Sequence, residues 1–593
     1  MRKALTALLA IVVLAAAAVG GHRAVNLLVN SIYTYHSPLI GSPALTQAST
    51  RPLTQQVILV TIDGLRYDTS FQMPYLNQLR IRGAQARLIN SPTSSTQAAW
   101  TTLLTGAAPD INEAPLFDRP YEWMPPIAVD HLVAAANRAG LKVAVAGFHW
   151  WERLLAPHAV YARYFVNGED ASADLSVTER AVTFLTEFRP HLLLVTLRQV
   201  EDAGQRYGAL SPEYRQAALA CDENLRILAS HVDLEHGVLI VTSGHGHLDW
   251  GGHGGDEPIV LHTPFVMVGQ SVAKDDYGTA KATDITPTIA ALLGAPVPSL
   301  AQGDMRLDMF ETEHVDEAEK YVALANQRLR LGSIYVYSLS KGTLSETAQG
   351  DALVAASSLQ VKNYASAAEL GHLSVEQTNR EMEQSSRLRL RNERRQRAPW
   401  LALTLVLPLL FIWRARSSRV VWSLIAAVLG AGLYHVMFLR GGHVYSFSAI
   451  APAHLAETLQ PGIRYAGLAL AAGGLIIVWR TWRERQRSAL EVALQTYAFA
   501  LLQLFVIGVG TAACIWWNGP SFSWRVPDLR VAYLQSALLT QAMLVAGLAI
   551  PLPLGVIVLQ RVLLALEDLA RRHTAGRPSR PRSASTPGWT DTR

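Results

Sequence analysis

Charge and cysteine are both scarce in this chain of 593 residues. Asp, Glu, Lys and Arg together make up 17%, against about 25% in an average soluble protein, while half of the residues are hydrophobic. That balance excludes a disordered chain, which needs few apolar residues and many charges. Two cysteines, Cys221 in a polar region and Cys514 in an apolar one, cannot supply a disulfide framework. No heptad pattern, Gly-X-Y period or other internal repeat runs through the sequence, so a coiled coil and a collagen-like rod are excluded too.

Apolar sequence is abundant, and it is concentrated. Mean hydropathy is +0.16, and the excess lies before residue 21 and after residue 398. This is the pattern of an integral membrane protein carrying a large water-soluble domain. Lys and Arg number 52 against 47 Asp and Glu, a net charge of +5. The basic residues gather beside apolar stretches, at Arg387 to Arg397, Arg414 to Arg419, Arg480 to Arg487 and after Arg561. Such placement marks membrane topology. No recognition motif accompanies it, so no nucleic-acid partner is expected.

Five segments follow from the pattern. Residues 1–21 open with Met1-Arg2-Lys3 and continue apolar, which predicts a signal anchor or signal peptide. Residues 55–310 alternate short β-branched runs with helical stretches, which predicts an α/β domain: a mostly parallel sheet with helices on both faces. Val57 to Thr61, Leu192 to Thr196 and Gly237 to Thr242 read as buried parallel strands, and each runs straight into a polar segment. Residues 311–397 are polar and partly helical, a stalk or membrane-proximal segment. Residues 398–567 hold apolar runs at 398–413, 420–439, 465–479, 497–517 and 532–560, predicting a bundle of five transmembrane helices. Residues 568–593 read as a disordered basic tail. With a cytoplasmic N-terminus, three Arg-rich segments fall inside and the α/β domain is extracytoplasmic, at the plasma membrane. Arg387 to Arg397 is the exception, left outside.

Three segments carry candidate chemistry. In Ile62-Asp63-Gly64, a carboxylate at a strand's carboxyl end is placed to hold a metal, although an Asp there also serves as a turn or helix cap. Ser91 to Gly106 offers hydroxyls at a helix start, where one of them could act as nucleophile or simply cap the helix. Thr242 to Gly255 holds His245, His247, Asp249 and His253 among glycines, a composition suited to a metal-binding loop.

Taken in order, these segments and Ala282 to Gly294 resemble the alkaline phosphatase superfamily, in particular its type I phosphodiesterase and nucleotide-pyrophosphatase branch, over about residues 55–310. The resemblance implies an alkaline-phosphatase-like fold, two divalent metals (zinc above all) and a phosphoryl-threonine intermediate. It makes Thr96 the catalytic nucleophile, and Asp63, Thr96, Glu201, His245 and His253 metal ligands. The chain departs from the family at two places. Gln205 stands where an imidazole is expected, and Gly244 where Ser-Asp-His-Gly carries its Asp. Asp202, Gln205, His247 and Asp249 are the substitutes the sequence offers. The implied function is a metal-dependent, membrane-anchored phosphodiesterase, phosphohydrolase or phosphotransferase. Its substrate would be a phosphorylated lipid headgroup, an envelope component or a nucleotide. The alternative is a degenerate domain, with one metal or none, that acts as a binding or scaffold module.

Overall fold

The computed structural model describes residues 1–45, 49–415, 417–449, 455–486 and 488–575. Its centre is an eight-stranded sheet: β1 (Gln56–Ile62), β2 (Ala84–Ile89), β3 (Val143–Phe148), β4 (Ala162–Val166), β5 (Leu192–Leu197), β6 (Gly237–Thr242), β7 (His262–Gly269) and β8 (Asp275–Lys281). The strand order is β4-β3-β5-β1-β6-β7-β2-β8. Every pairing is parallel except those that β7 makes with β6 and β2.

The period of two along a strand decides which face each side chain serves. In β1, Val57 and Leu59 join the apolar core on one face, and Ile58, Val60 and Ile62 join the core on the other. In β5, Leu192 and Leu194 take the first face, and Leu193, Val195 and Leu197 the second. Both faces are covered, so these strands read as continuous apolar runs. Thr61 lies opposite Thr196 on one side and Thr242 on the other, so β1, β5 and β6 end together at one rim.

Four helices of this half matter below: α1 (Arg2–Tyr33), α2 (Thr96–Thr105), α3 (Gln199–Tyr207) and α4 (Ala282–Leu293). Helix α1 continues past residue 21, the end expected for the N-terminal segment. The region from 311 to 397 is not a free stalk. It folds as α5 (His314–Ser340), α6 (Glu346–Gln360) and the first part of the 52-residue α7 (Tyr364–Ala415). Leu324, Ala325 and Val375 enter the core of the sheet, and the buried Arg328 donates to Gly303 O at 2.6 Å and Asn379 Oδ1 at 2.5 Å. The polar composition read as a stalk because these helices bury polar side chains, Lys320, Gln327 and Arg328 among them, beside their apolar ones.

The helices that follow in the chain are α8 (Ser418–Arg440), α9 (Leu455–Arg483), α10 (Ala489–Asn518), α11 (Leu529–Ala549) and α12 (Leu552–Ala575). Among the described residues, five helices are long and apolar enough to cross a membrane: α1, α8, Pro461–Arg483 of α9, α10 and α11. The run 398–413 is the end of α7. The run 532–560 is divided at Ile550 and Pro551 between α11 and α12. The start of the expected tail, to Ala575, is helical, and the rest of the tail lies outside the described residues. The basic segments meet at one end of the bundle, where Lys3 pairs with Glu491 at 2.5 Å, Arg480 donates to Ser418 O at 2.9 Å and Arg485 pairs with Glu567 at 2.7 Å. At the other end Arg119 donates to Tyr33 O at 2.6 Å and Arg530 approaches Asp256 at 3.4 Å, so this end carries the α/β domain. Arg394, with its side chain on Trp517, lies at the domain end as well.

Candidate active site

The rim where β1, β5 and β6 end gathers the sequence's candidate residues. Asp63 N continues the ladder by donating to Leu197 O at 2.9 Å, which fixes its carboxylate at the strand end. Gly64 follows at φ +75°, and a Cβ there would stand 2.7 Å from Glu201 Oε2 and 2.8 Å from His247 Nε2. Only glycine lets the chain turn so close to those two groups. Asp63 is fully buried. Its Oδ2 accepts from Arg198 Nη1 at 2.8 Å, while Oδ1 has no hydrogen-bond partner and lies 3.6 Å from His245 Nε2.

Thr96 is the first residue of α2. The free N–H groups at that helix start are taken by Asp118, which accepts from Thr96 N at 3.2 Å and Gln97 N at 2.8 Å. An acid there satisfies orphan donors and opposes the positive helix end. The Thr96 hydroxyl is buried and sits 3.2 Å from His245 Nε2.

Glu201, in the first turn of α3, is the hub. It meets His247 Nε2 at 2.7 Å, His253 Nε2 at 3.0 Å and His245 Nε2 at 3.9 Å. His245 and His253 stack with ring centroids 4.0 Å apart. Their other nitrogens face backbone carbonyls, Gly246 O at 3.2 Å and Ser94 O at 2.8 Å. Those bonds turn both Nε2 atoms toward the carboxylates, as metal-ligating imidazoles require.

Burial and charge pull against each other here. Burial pushes the Asp63 carboxyl up to about 7 despite the Arg198 guanidinium. Burial would raise Glu201 too, but the three imidazoles hold it well below the usual carboxylate range. Burial would lower His253, and the Glu201 and Asp118 carboxylates overcome it, carrying the imidazole up to about 9. Burial and the charge on His253 drive His245 well down.

This donor set fits a divalent cation. Glu201, His245 and His253 offer ligand atoms within 4.8 Å of one another, and Asp63 Oδ1 is a buried oxygen without a partner beside them. The structure separates the substitutes. His247 is fully buried against Glu201. Gln205 reaches only the wall of the adjoining cavity. Asp249 is turned away, half exposed and paired with Arg66 at 2.7 Å, and Asp202 pairs with Arg206 at 2.7 Å. Each of these two acids has a nearby guanidinium on its own side of the rim, which outcompetes the site. Gly244 has a packing reason: a Cβ there would stand 2.8 Å from Ala99 Cβ on α2. A side chain at 244 would displace the helix that carries Thr96.

Two site residues escaped the sequence reading. Arg198 directly follows β5 as Asp63 follows β1, and that shared strand-end position was the available signal. Asp118 lies in a connecting segment with no motif, and only the fold brings it to α2.

A cavity of about 190 Å³ opens in front of Thr96, Glu201 and His253, with Asp118 and Trp150 in its wall. Ser448, from the loop after α8 in the membrane half, lines it too. That loop is latched to the His253 segment: Ser448 Oγ donates to Glu257 Oε2 at 2.7 Å and accepts from Gly255 N at 2.8 Å, and Ser446 Oγ donates to Glu257 Oε1. The Ser94 hydroxyl closes the chain of bonds, donating to Gly255 O at 3.0 Å and accepting from Gly254 N at 2.8 Å.

Residues 57–327 match the family model for type I phosphodiesterase / nucleotide pyrophosphatase. Similar curated proteins include human GPI ethanolamine phosphate transferase 2, catalytic subunit, 23% identical over 310 residues, covering 47% of this chain and 30% of that protein. Human GPI ethanolamine phosphate transferase 3, catalytic subunit, is 25% identical over 288 residues, covering 43% and 26%. The match thus spans less than a third of the length of these relatives. Among solved structures, murine ectonucleotide pyrophosphatase / phosphodiesterase 5 aligns with a TM-score of 0.36 at 14% identity, covering 41% of this chain and 96% of that one. Residues 57–327 form a type I phosphodiesterase/nucleotide pyrophosphatase domain of the alkaline phosphatase superfamily, and this chain joins it to a bundle of membrane-length helices.

Proposed function

We propose that the domain is a metal-dependent phosphoryl-transfer site. It would act as a phosphotransferase or phosphodiesterase on the phosphorylated headgroup of a membrane lipid, with Thr96 as the nucleophile. The observation that carries this reading is the buried Thr96 hydroxyl 3.2 Å from His245 Nε2, beside the unpartnered Asp63 Oδ1. Asp63, Thr96 and His245 would hold one cation, and Glu201, His247 and His253 a second, with His247 in the place Gln205 leaves. A bound divalent cation there supplies Lewis acidity, lowering the hydroxyl pKa and offsetting charge on the phosphoryl oxygens.

The side chains do the rest. Asp118 and α2 hold the Thr96 hydroxyl at the floor of the cavity. A Thr96 Oγ–P bond forms as the hydroxyl O–H bond and the bond from phosphorus to the leaving oxygen break, the proton ending on the leaving oxygen through solvent. The phosphoryl-threonine then passes its group to water or to an acceptor hydroxyl. Arg198 keeps Asp63 oriented and adds positive charge beside the reacting phosphate. The Asp118 carboxylate and the Trp150 ring suit a cationic group attached to that phosphate, in keeping with relatives named as ethanolamine phosphate transferases. The basic end of the bundle, taken as cytoplasmic, leaves the site on the extracytoplasmic side.

The test is the metal content of the full chain in detergent, together with turnover of a water-soluble phosphodiester such as bis-p-nitrophenyl phosphate. Roughly two equivalents of zinc, lost in Asp63→Ala along with turnover, are expected. A folded protein that binds no supplied metal and cleaves no ester would overturn the reading and leave a non-catalytic binding module.

A further inference from the structure

A second cavity, about 310 Å³, lies in the membrane half directly below the first. Helices α1, α8 and α11 form its walls, and Phe117, Phe447 and Phe522 line it as well. Phe117 is shared, because it lines the polar cavity as well. Phe447 packs on Phe117 at 5.1 Å and on Tyr533 at 5.4 Å, and its neighbour Ser448 already faces the polar side. A cavity walled mostly by aromatic and aliphatic side chains, with His22, Asn26, Ser536 and Thr540 as its polar members, therefore meets the cavity of Asp118, Glu201 and His253 at one phenylalanine.

The lower cavity has a direction. It is lined on α1 from His22 to Tyr33 and on α11 from Ala532 to Met543. At a rise of 1.5 Å per residue, each stretch is about 16 Å long. One leaflet of a bilayer's hydrocarbon core is about 15 Å deep. Tyr33 is at the domain end of α1, where Arg119 holds its carbonyl, so the cavity descends from the domain toward the middle of the membrane.

We propose that this cavity holds a hydrocarbon chain of the lipid whose phosphorylated headgroup enters the cavity above. The inference rests on the phosphoryl-transfer reading for the headgroup, and it adds where the rest of the substrate lies. Length, wall chemistry and position suit a single acyl or prenyl chain drawn straight from the leaflet beneath the domain. The α/β domain then reads the head, the helices read the chain, and Phe117 stands at their junction. A water-soluble phosphodiester would use only the upper half.

The experiment takes the full chain in nanodiscs containing a phosphatidylethanolamine with a diazirine on one acyl chain. Irradiation is followed by peptide mapping, alongside turnover of bis-p-nitrophenyl phosphate. Ala537→Trp on α11 and Val29→Trp on α1 each fill the cavity from a different wall, and neither residue touches the polar site. Labelling concentrated on the facing surfaces of α1 and α11, and reduced at least fivefold in both variants, is the expected result. Turnover of the soluble ester should stay within twofold of the parent, which also shows that the variants fold. Labelling spread evenly over the lipid-facing helices and indifferent to both substitutions would overturn the proposal, even with soluble turnover intact. Concentrated labelling in a protein that binds zinc yet turns over no ester would instead count against the phosphoryl-transfer reading alone, since the chain site would stand.

Discussion

The two halves of this molecule bury polar groups of different kinds. At the rim of the sheet, Asp63, Arg198, Glu201, His245 and His247 are buried together, and all of them are ionisable. Among the described residues of the membrane half the buried polar side chains are hydroxyls and amides such as Thr496, Gln503, Gln535 and Gln541, with Arg480 at the basic end the exception. Hydrocarbon penalises an unpaired charge without relief, whereas an amide can find a neighbouring carbonyl, as Gln541 does at Ala431 O, 3.3 Å away. The rim can bury charge because strand ends bring opposite signs within hydrogen-bond reach. At the rim the buried charge is gathered into one cluster of carboxylates, guanidinium and imidazoles, and the latch at Ser448 shows the neutral half reaching up to it.

The sharpest way to break this contrast is at the nucleophile. Thr96→Ala should lower phosphodiester turnover by about three orders of magnitude or more, with circular dichroism and metal content little changed. An unchanged rate would place the chemistry elsewhere.

Next is the buried ion pair. Arg198→Ala leaves Asp63 buried without its partner, so the metal-free protein should lose about 3–5 kcal/mol. Added zinc, giving Asp63 a new positive neighbour, should restore part of that loss in thermal unfolding. Equal losses with and without metal would mean that Asp63 does not meet the cation.

Gly244→Asp returns a carboxylate to the position where the family has one, yet it should not improve metal binding. Its Cβ would press on Ala99, costing about 1–3 kcal/mol, and adding Ala99→Gly should recover much of it. A tighter metal site in the single variant would refute the packing account.

Of similar size is the coupling between halves. Ser448→Ala removes a buried hydroxyl held between Glu257 and Gly255, for about 1–3 kcal/mol. Hydrogen exchange should quicken at residues 252–257 and leave β1 untouched.

The smallest effect is a pH response at the junction of domain and helix. His372 on α7 faces Asp304 at 3.5 Å. That ion pair raises the imidazole, and together with the Arg328 guanidinium and the Met305 N–H it overcomes burial to hold the carboxyl below its usual range. The imidazole's contribution is complete below its unfolded value near 6.5 and fades as pH rises through the raised one. The carboxylate's is complete above about 4 and fades as pH falls through the lowered one. Stability should therefore peak between roughly pH 4 and 6.5, by less than about 1 kcal/mol for so exposed a pair. His372→Gln should flatten the peak in unfolding midpoints taken across that range.

How legible this was in the sequence depends on the range of the interaction. The strands β1, β5 and β6 were visible because both faces of each are buried, leaving unbroken β-branched runs. The helix from Ala282 to Leu293 was legible only through the family resemblance, and in the structure Gly294 closes it at φ +66°. Helices α5 to α7 were not, since residues that read as solvent-facing, such as Lys320, Gln327 and Arg328, are buried there together with the apolar ones. The break at Ile550 and Pro551 was signalled by Pro551 and Pro553, which mark a kink in the last apolar run, and the structure makes it a division into two helices. At the rim, His247 and Asp249 were equal candidates on spacing alone. Arg66, which lies far away in sequence, claimed Asp249.

By itself the sequence determined that a parallel α/β domain is joined to membrane-length helices, and that carboxylates, hydroxyls and imidazoles follow its central strands. Periodicity and strand ends are local properties, carried by neighbouring residues. Only the tertiary structure decided that Arg198 pairs with Asp63, that Asp118 caps α2, and that a membrane loop closes on the His253 segment. Those depend on which distant groups share a buried space, and there the cost of an unpaired charge selects the partner.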